Sequence, residues 1–361
     1  MKVIKARKRF DIVNYIPAIL CVVAVILIIV LICSLAAGKT KSVKENGLQL
    51  LPFKNDSTYV PFAGGAVYID NTKNQMFYVD DRNEIMWGFE GTVPEMKLYA
   101  GENKVGVTVG KKLQVIDKEG RLVFSKEFDK NISAVTLSDK IIAVSLSNSD
   151  DTIILNGTGE EIDRIVSAVN GTNIRFGVYN QNSVWVISVE NSGYKPEYQL
   201  STYKYDTEKT QTVTFTDDSQ MMYDAYFDDK ICYIFGTNKI MVRDCDYTGS
   251  ISKDYNVNGY DVVAVGKIGK NVHMLLNNDG NIKAVGEKGV KDITCEEKLC
   301  YVAISGNNYF GFSNYFMYKI KPEKDKIIKY RFPVRIDGIV QGDGYVIIQS
   351  GQDVYRYDLK V

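Results

Sequence analysis

The sequence predicts an all-β fold, a β-propeller of eight blades, preceded by one N-terminal transmembrane helix. Residues 12–37 form an uncharged, apolar run. From about Gly47 onward, short alternating runs of Val, Ile, Tyr and Phe are bounded by Asn, Asp, Gly and Lys, a pattern typical of strands and hairpins. These hairpins recur roughly every forty residues, which is the spacing of propeller blades with four strands each.

The apolar run is long enough to cross a membrane as a helix, which takes roughly 20 residues. A cleaved signal peptide is the alternative, with cleavage near Ser34-Leu35-Ala36, but its apolar region should have only about 7 to 15 residues. We therefore expect an uncleaved anchor. Five basic residues precede the run: Lys2, Lys5, Arg7, Lys8 and Arg9. The positive-inside rule then predicts a localisation in the cell membrane as a single-pass protein.

The predicted organisation along the chain follows from that orientation: a cytoplasmic tail (1–11), the transmembrane helix (12–37), a linker (38–46) and an extracytoplasmic propeller (47–361). The first 41 residues carry seven of the 44 basic and one of the 44 acidic residues. The remainder has 37 basic against 43 acidic residues, a net charge of −6. An acidic domain is a poor binder of nucleic acid, because that affinity depends on neutralising phosphates.

Two hairpin types define the repeat. The first type, an apolar strand, a tight turn and a second apolar strand, is found at 60–69, 96–109, 132–146, 174–189, 223–235, 260–276, 290–304 and 336–348. The second type begins its turn at Asp80, Asp117, Asn156, Asp206 and Asp246. Eight first hairpins predict eight blades. Seven is the alternative, because residues 191–198 stretch the fourth unit and the sixth is short by about one strand.

Closure of the ring is predicted from the two ends of the domain. The last unit lacks its outermost strand, and the spare strand LQLLPF at 48–53 precedes the first unit. Pairing this strand with the last blade would remove the open sheet edges that an unclosed ring exposes.

The anchor, the opening YVPFAGGAVYIDNTKNQMFYVDDRNEIMW and the repeated Asp-x-x-Gly hairpins resemble the membrane-anchored, PQQ-like or WD40-like propellers of low-GC Gram-positive bacteria. That family has no assigned function, so the resemblance implies fold and location and transfers no catalytic residue. Quinoprotein dehydrogenases share the scaffold and a recurrent Trp docking motif. Only Trp87 and Trp185 occur here, which argues against a quinone, and no cofactor is expected.

Four acidic residues are candidates for a metal site. Asp224, Asp261, Asp292 and Asp337 are predicted near the start of innermost strands, where they would face one mouth of the axial channel. Converging carboxylates bind hard cations such as Ca²⁺. The competing interpretation, which we favour, is that each Asp accepts backbone hydrogen bonds in its own loop.

Cys295 and Cys300 flank the turn Glu-Glu-Lys-Leu of the hairpin 290–304, so they should face each other. Both a disulfide and a pair of reduced thiols remain open from this spacing. The single His of the chain, His273, lies in an alternating strand and has no recognisable nucleophile motif to serve. We interpret it as a packed strand residue.

These observations lead to a functional hypothesis. The chain is expected to be a non-enzymatic, membrane-anchored scaffold or accessory subunit that binds a protein partner in the cell envelope. One alternative is a sensor of a small ligand or cation at the acidic channel mouth. A further alternative is an enzyme acting on envelope glycans with paired carboxylates, since propellers host such sites.

Overall fold

A computed structural model describes residues 41–43, 47–93, 95–166, 171–190, 196–216, 220–228, 230–245, 252–322 and 326–359. These residues form 33 β-strands in eight separate sheets. Among the residues that the structure describes, no helix is long and apolar enough to cross a membrane. The predicted span 12–37 lies outside the described residues.

The first four blades follow one another along the chain, each with its innermost strand first. Blade 1 comprises β3 (Thr58–Phe62), β4 (Gly65–Asp70), β5 (Gln75–Val79) and β6 (Ile85–Glu90). Blade 2 comprises β7 (Lys97–Ala100), β8 (Lys104–Val109), β9 (Lys112–Asp117) and β10 (Leu122–Glu127). Blade 3 comprises β11 (Ile132–Leu137), β12 (Ile141–Leu146), β13 (Thr152–Asn156) and β14 (Glu161–Ile165). Blade 4 comprises β15 (Gly171–Tyr179), β16 (Ser183–Glu190), β17 (Glu197–Lys204) and β18 (Lys209–Thr216).

The other four blades complete the ring. Blade 5 comprises β19 (Met222–Asp228), β20 (Ile231–Gly236), β21 (Lys239–Asp244) and β22 (Ser252–Asn256). Blade 6 comprises β23 (Asp261–Ile268), β24 (Asn271–Asn278), β25 (Asn281–Gly286) and β26 (Gly289–Ile293). Blade 7 comprises β27 (Tyr301–Ser305), β28 (Asn308–Phe312), β29 (Phe316–Lys321) and β30 (Lys326–Arg331). Blade 8 comprises β31 (Gly338–Gln341), β32 (Tyr345–Ser350), β33 (Asp353–Asp358) and, from the other end of the chain, β2 (Leu48–Lys54).

The ring is closed, and the predictions of eight blades and of the closing strand are confirmed. β2 pairs antiparallel with β33, so that Leu48 lies opposite Tyr357. Leu51 and Phe53 of β2 are buried between blades 8 and 1. In addition, two residues of the predicted linker form β1 (Lys41–Ser42), which pairs parallel with β30 at the outer edge of blade 7. Residues 41–358 therefore contain every strand of the ring.

The hydrophobic core is divided among the interfaces between neighbouring blades, which we call seams. Among the described residues, each of the eight seams has its own cluster of buried side chains. The second strand of each blade is largely shielded from solvent, most completely in β12 and β32. It is buried because it has a strand on either side in its sheet and a neighbouring blade against both faces.

One predicted hairpin is wrong. The segment 290–304 contains β26 and β27, which belong to different sheets, so it connects blade 6 to blade 7. The true first hairpin of blade 7 is β27 and β28, at 301–312. The error arose because Glu-Glu-Lys-Leu resembles a turn between two apolar strands. The sixth blade is not a strand short, because β26 is its fourth strand.

The predicted second hairpins are found between the third and fourth strands of their blades. In blade 2, Asp117 Oδ1 accepts hydrogen bonds from the amides of Glu119 at 3.1 Å and Arg121 at 2.9 Å. Asp80 and Asn156 cap the equivalent turns of blades 1 and 3 through their side-chain oxygens. The turn at Asp246 lies outside the described residues.

These turns also make contacts between neighbouring blades. A Cβ atom on Gly120, in the Asp117 turn, would come within 2.7 Å of the Trp87 ring of blade 1. Trp87 Nε1 donates a hydrogen bond to the carbonyl of Lys118 at 3.0 Å. Phe124 of blade 2 packs in the same way on Gly159 of blade 3. The glycines are needed because the aromatic ring occupies the position of a side chain.

Candidate functional site

Three of the four candidate metal ligands lie at the strand positions expected for them. Asp224 and Asp261 lie at the start of the innermost strands β19 and β23, and Asp337 directly precedes β31. The expected position of Asp292 on an innermost strand is wrong, because it lies in β26, the outermost strand of blade 6, with 79 % of its side chain exposed. It follows from the misplaced hairpin 290–304.

These carboxylates do not form a cluster in the structure. Asp224 lies 3.3 Å from the guanidinium of Arg175 on the neighbouring blade, and its Oδ1 accepts a hydrogen bond from the Ala225 amide. Asp337 pairs with Arg335 at 2.9 Å and accepts the Gly351 amide. Within the part of the chain that the structure describes, no three His, Cys, Asp or Glu residues are grouped closely enough to hold a metal ion.

Cys295 and Cys300 do not face each other across a hairpin. They lie in the connection between β26 and β27, and both are free thiols in the structure. The expected geometry was wrong for the same reason as for Asp292. Burial raises the pKa of Cys295 to about 11, whereas Cys300 is exposed.

The opposite face of the ring carries the turns of both hairpin types, and here blades 8, 1 and 2 form a cleft of about 1170 Å³. We call it the turn-face cleft. Its walls are the first turns of these blades, at 62–64, 101–103 and 341–343, and the second turns of blades 1 and 2, represented by Asp80 and Lys118.

Side chains from two blades hold the wall of the cleft in place. Arg356 Nε donates to the carbonyl of Gly64 at 2.8 Å, and Tyr345 donates to that of Gly65 at 2.5 Å. Tyr78 donates to the carbonyl of Ala63 at 3.0 Å. The turn at Ala63 and Gly64 has positive φ at both positions, as tight hairpin turns require. The wall is preformed, so a partner binding there would lose little conformational entropy in ordering it.

Apolar side chains are exposed beside the cleft. Met86 lines it and is 52 % exposed, and the neighbouring Ile85 is 55 % exposed. Leu122 follows the equivalent turn in blade 2 and is likewise half exposed. Leu50 of β2 is half exposed and lies next to blade 1, since its carbonyl accepts a hydrogen bond from Asn83. Exposed apolar side chains grouped together indicate a binding surface.

The cleft is acidic. Its lining includes four carboxylates, Asp80, Glu102, Glu119 and Asp343, against one ammonium group, Lys118. Two of the carboxylates are partly neutralised, since Asp80 and Glu119 form ion pairs with Arg82 and Arg121. Burial disfavours the charge on Asp80, but hydrogen bonds from the amides of Glu84 and Arg82 lower its pKa overall. The surface therefore favours a partner segment with apolar and basic side chains.

Sequence reasoning missed this cleft. The available signal was an apolar residue, Ile85 or Leu122, at the first strand position after the second turn. A period-two pattern assigns such a residue to the core, and the structure instead leaves it exposed.

Comparison with known proteins shows the fold alone. The sequence matches no protein-family model and no curated protein. Among solved structures, BamB from Moraxella catarrhalis is 12 % identical, with a TM-score of 0.56 over 86 % of this chain and 99 % of that one. The dihydro-heme d1 dehydrogenase NirN is 12 % identical, with a TM-score of 0.57 over 89 % and 73 %. The WD40 domain of SCAP from fission yeast is 8 % identical, with a TM-score of 0.56 over 87 % and 98 %. The chain is thus an eight-bladed β-propeller similar in fold to these three proteins.

Proposed function

We propose that this protein is a non-enzymatic, membrane-anchored scaffold whose extracytoplasmic propeller binds a protein partner through the turn-face cleft. The observation that carries the proposal is the cleft itself: a preformed, acidic surface beside the exposed side chains Ile85, Met86 and Leu122. Apolar anchors in a polar surround are typical of protein interfaces. The partner segment is expected to carry apolar and basic side chains.

Site-specific photocrosslinking in cells tests the cleft. A photoreactive phenylalanine derivative at Met86 should give a discrete adduct, and the same group at Tyr205, exposed on the second turn of blade 4, serves as the matched control. The adduct should disappear when Ile85→Asp and Leu122→Asp are combined, because two charges would then be desolvated at the interface. Adducts that are identical at both positions, or that survive the double substitution, would contradict the proposed cleft.

The proposed location is tested separately with the thiol of Cys300, which is exposed. A membrane-impermeant maleimide added to intact cells should label the full chain, and Cys300→Ser should abolish most of the labelling. Labelling that occurs only after the cells are broken would exclude an extracytoplasmic propeller. Extraction of the protein by alkaline carbonate would exclude a transmembrane anchor.

A further inference from the structure

The seam between blades 6 and 7 contains a second cavity, of about 720 Å³ and open to solvent on one side, which we call the seam cavity. Its apolar walls come from both blades and include Ile268, Ala284, Ile293, Ile320 and Ile327. The volume lies within the range of about 300 to 1000 Å³ that is typical of sites for small ligands.

The cavity exists because blade 6 presents small residues to blade 7. In blade 1, the register places Tyr78 opposite Trp87, and both rings fill the seam with blade 2. At the matching register of blade 6, Ala284 lies opposite Lys291. Gly286 and Gly289 also line the space. A Cβ atom on Gly289 would have nothing within 4 Å, so this side of the seam is open.

Polar groups gather at one end of the cavity. Asn271 and His273 begin β24, and the turn at Glu287 and Lys288 precedes β26, so these residues lie at the same end of the blade. His273 Nδ1 is 2.6 Å from the hydroxyl of Tyr309, which reaches across from blade 7. Burial raises the pKa of Tyr309 to about 12, so its hydroxyl stays protonated at neutral pH and remains a hydrogen-bonding group.

The lining of the cavity carries two carboxylates, Glu287 and Asp292, and two ammonium groups, Lys288 and Lys291. Glu287 accepts a hydrogen bond from Asn271 at 2.9 Å, and Asp292 lies 4.0 Å from the ammonium group of Lys283. Lys288 lines the cavity, and the described residues supply no ion-pair partner for it. A ligand carboxylate near Lys288 would acquire a charged partner and a neighbouring His273–Tyr309 pair.

We propose that the seam cavity binds a small amphipathic carboxylate, whose apolar body lies between blades 6 and 7 and whose carboxylate is held beside Lys288 and the hydrogen-bonded pair of His273 and Tyr309. The aliphatic walls select an apolar body, and the polar end fixes its orientation. The site is separate from the turn-face cleft, which is formed by blades 8, 1 and 2.

Calorimetric titration of residues 41–361, which contain every strand of the ring, tests the proposal with decanoate as the probe. Decanoate should bind saturably, one molecule per chain, and 1-decanol should bind at least threefold more weakly, because it lacks the carboxylate. Lys288→Glu should weaken decanoate binding about tenfold through like-charge repulsion and leave 1-decanol binding within twofold. Lys270→Glu is the matched control, since Lys270 is an exposed lysine of the same blade outside the cavity lining, and it should change neither affinity.

Ala284→Phe tests the location, because a ring on Ala284 would fill the apolar part of the cavity. Binding of both probes should be lost. Tyr309→Phe should weaken decanoate about fivefold, whereas Tyr99→Phe, a partly buried tyrosine of another seam, should not. Absence of saturable decanoate binding would overturn the proposal. So would equal effects of Lys288→Glu and Lys270→Glu, a result that does not depend on whether the core variants fold.

Discussion

The seam between blades 1 and 2 and the seam between blades 6 and 7 use the same strand arrangement with opposite results. In the first, Trp87 packs on Gly120 and donates a hydrogen bond to the next blade. In the second, Ala284 and Gly289 leave a cavity of about 720 Å³. A few side chains at equivalent register positions therefore decide whether a seam is filled by packed side chains or contains a cavity. Both kinds of seam are compatible with the fold, because the hydrogen bonds between strands lie within each blade and do not depend on the side chains between blades.

The largest expected effect comes from a pair of glycines that differ only in their surroundings. Gly120 and Gly289 both have positive φ, so an alanine is strained at either position. Gly120→Ala would also clash with Trp87 and should lower the free energy of unfolding by about 3 to 4 kcal/mol. Gly289→Ala should cost only about 1 to 2 kcal/mol. Urea denaturation of residues 41–361 measures both, and equal losses would contradict the comparison of the two seams.

Removing the Trp87 ring, which packs on Gly120, should lower the free energy of unfolding somewhat less than Gly120→Ala does. Trp87→Ala should lower the free energy of unfolding by about 2 to 3 kcal/mol, because a partly buried ring and its hydrogen bond are lost together. Lys291→Ala, at the matching register of blade 6, should stay within about 0.5 kcal/mol. Thermal unfolding followed by circular dichroism separates the two variants. A loss for Lys291→Ala as large as that for Trp87→Ala would show that the seams are equivalent after all.

Asp117, which caps the turn that contains Gly120, should make a pH-dependent contribution to the free energy of unfolding. Burial disfavours the charge of Asp117, but hydrogen bonds from the Arg121 amide and guanidinium lower its pKa overall. The charged form therefore stabilises the fold above the unfolded-state pKa of about 3.8, and this contribution is lost as the pH falls through the lower folded-state value.

We accordingly expect Asp117→Ala to destabilise by about 2 kcal/mol at pH 7 and by much less below pH 3. Asp117→Asn should lose less at pH 7, because Asn156 caps the equivalent turn of blade 3. Urea midpoints between pH 2.5 and 7 test this, and a pH-independent loss for Asp117→Ala would contradict it.

The smallest effect is expected where space is available. Ala284→Leu should change the free energy of unfolding by less than about 1 kcal/mol in either direction, because the new side chain enters the seam cavity. Ala66→Leu provides the contrast: Ala66 is completely buried in the filled seam between blades 8 and 1, and overpacking there should cost about 1 to 3 kcal/mol. The reverse order of the two variants would mean that the cavity cannot accept a side chain.

The repeat could be predicted from the sequence because alternating strands and turn residues are local signals. Asp80, Asp117 and Asn156 marked their turns correctly, and the LQLLPF strand could be assigned to the last blade by elimination. Among the hairpins that the structure describes, the strand-turn-strand pattern was misleading at 290–304, where two consecutive strands belong to different blades.

The candidate sites were far less predictable, because they depend on contacts between residues that are distant in the sequence. The partner of Asp224 is Arg175 on the preceding blade. No sequence pattern around either residue indicates that they form an ion pair. The seam cavity results from Ala284 facing Tyr309 of the next blade, and small residues in a strand are ordinary when that strand is considered alone. The small residues of blade 6 can be recognised as the cause of a cavity only when they are compared with Tyr78 and Trp87, which occupy the same register in blade 1.

The closing strand has a consequence for how the chain folds. Lys54 of β2 and Asp353 of β33 form an ion pair across 299 residues of sequence. Pairings so distant in sequence form slowly, because a long loop must close before they are made. During synthesis, β2 must remain unpaired until β33, which lies 299 residues further along the chain, becomes available. A chaperone that shields β2 during this interval would protect the chain from pairing with other exposed strand edges.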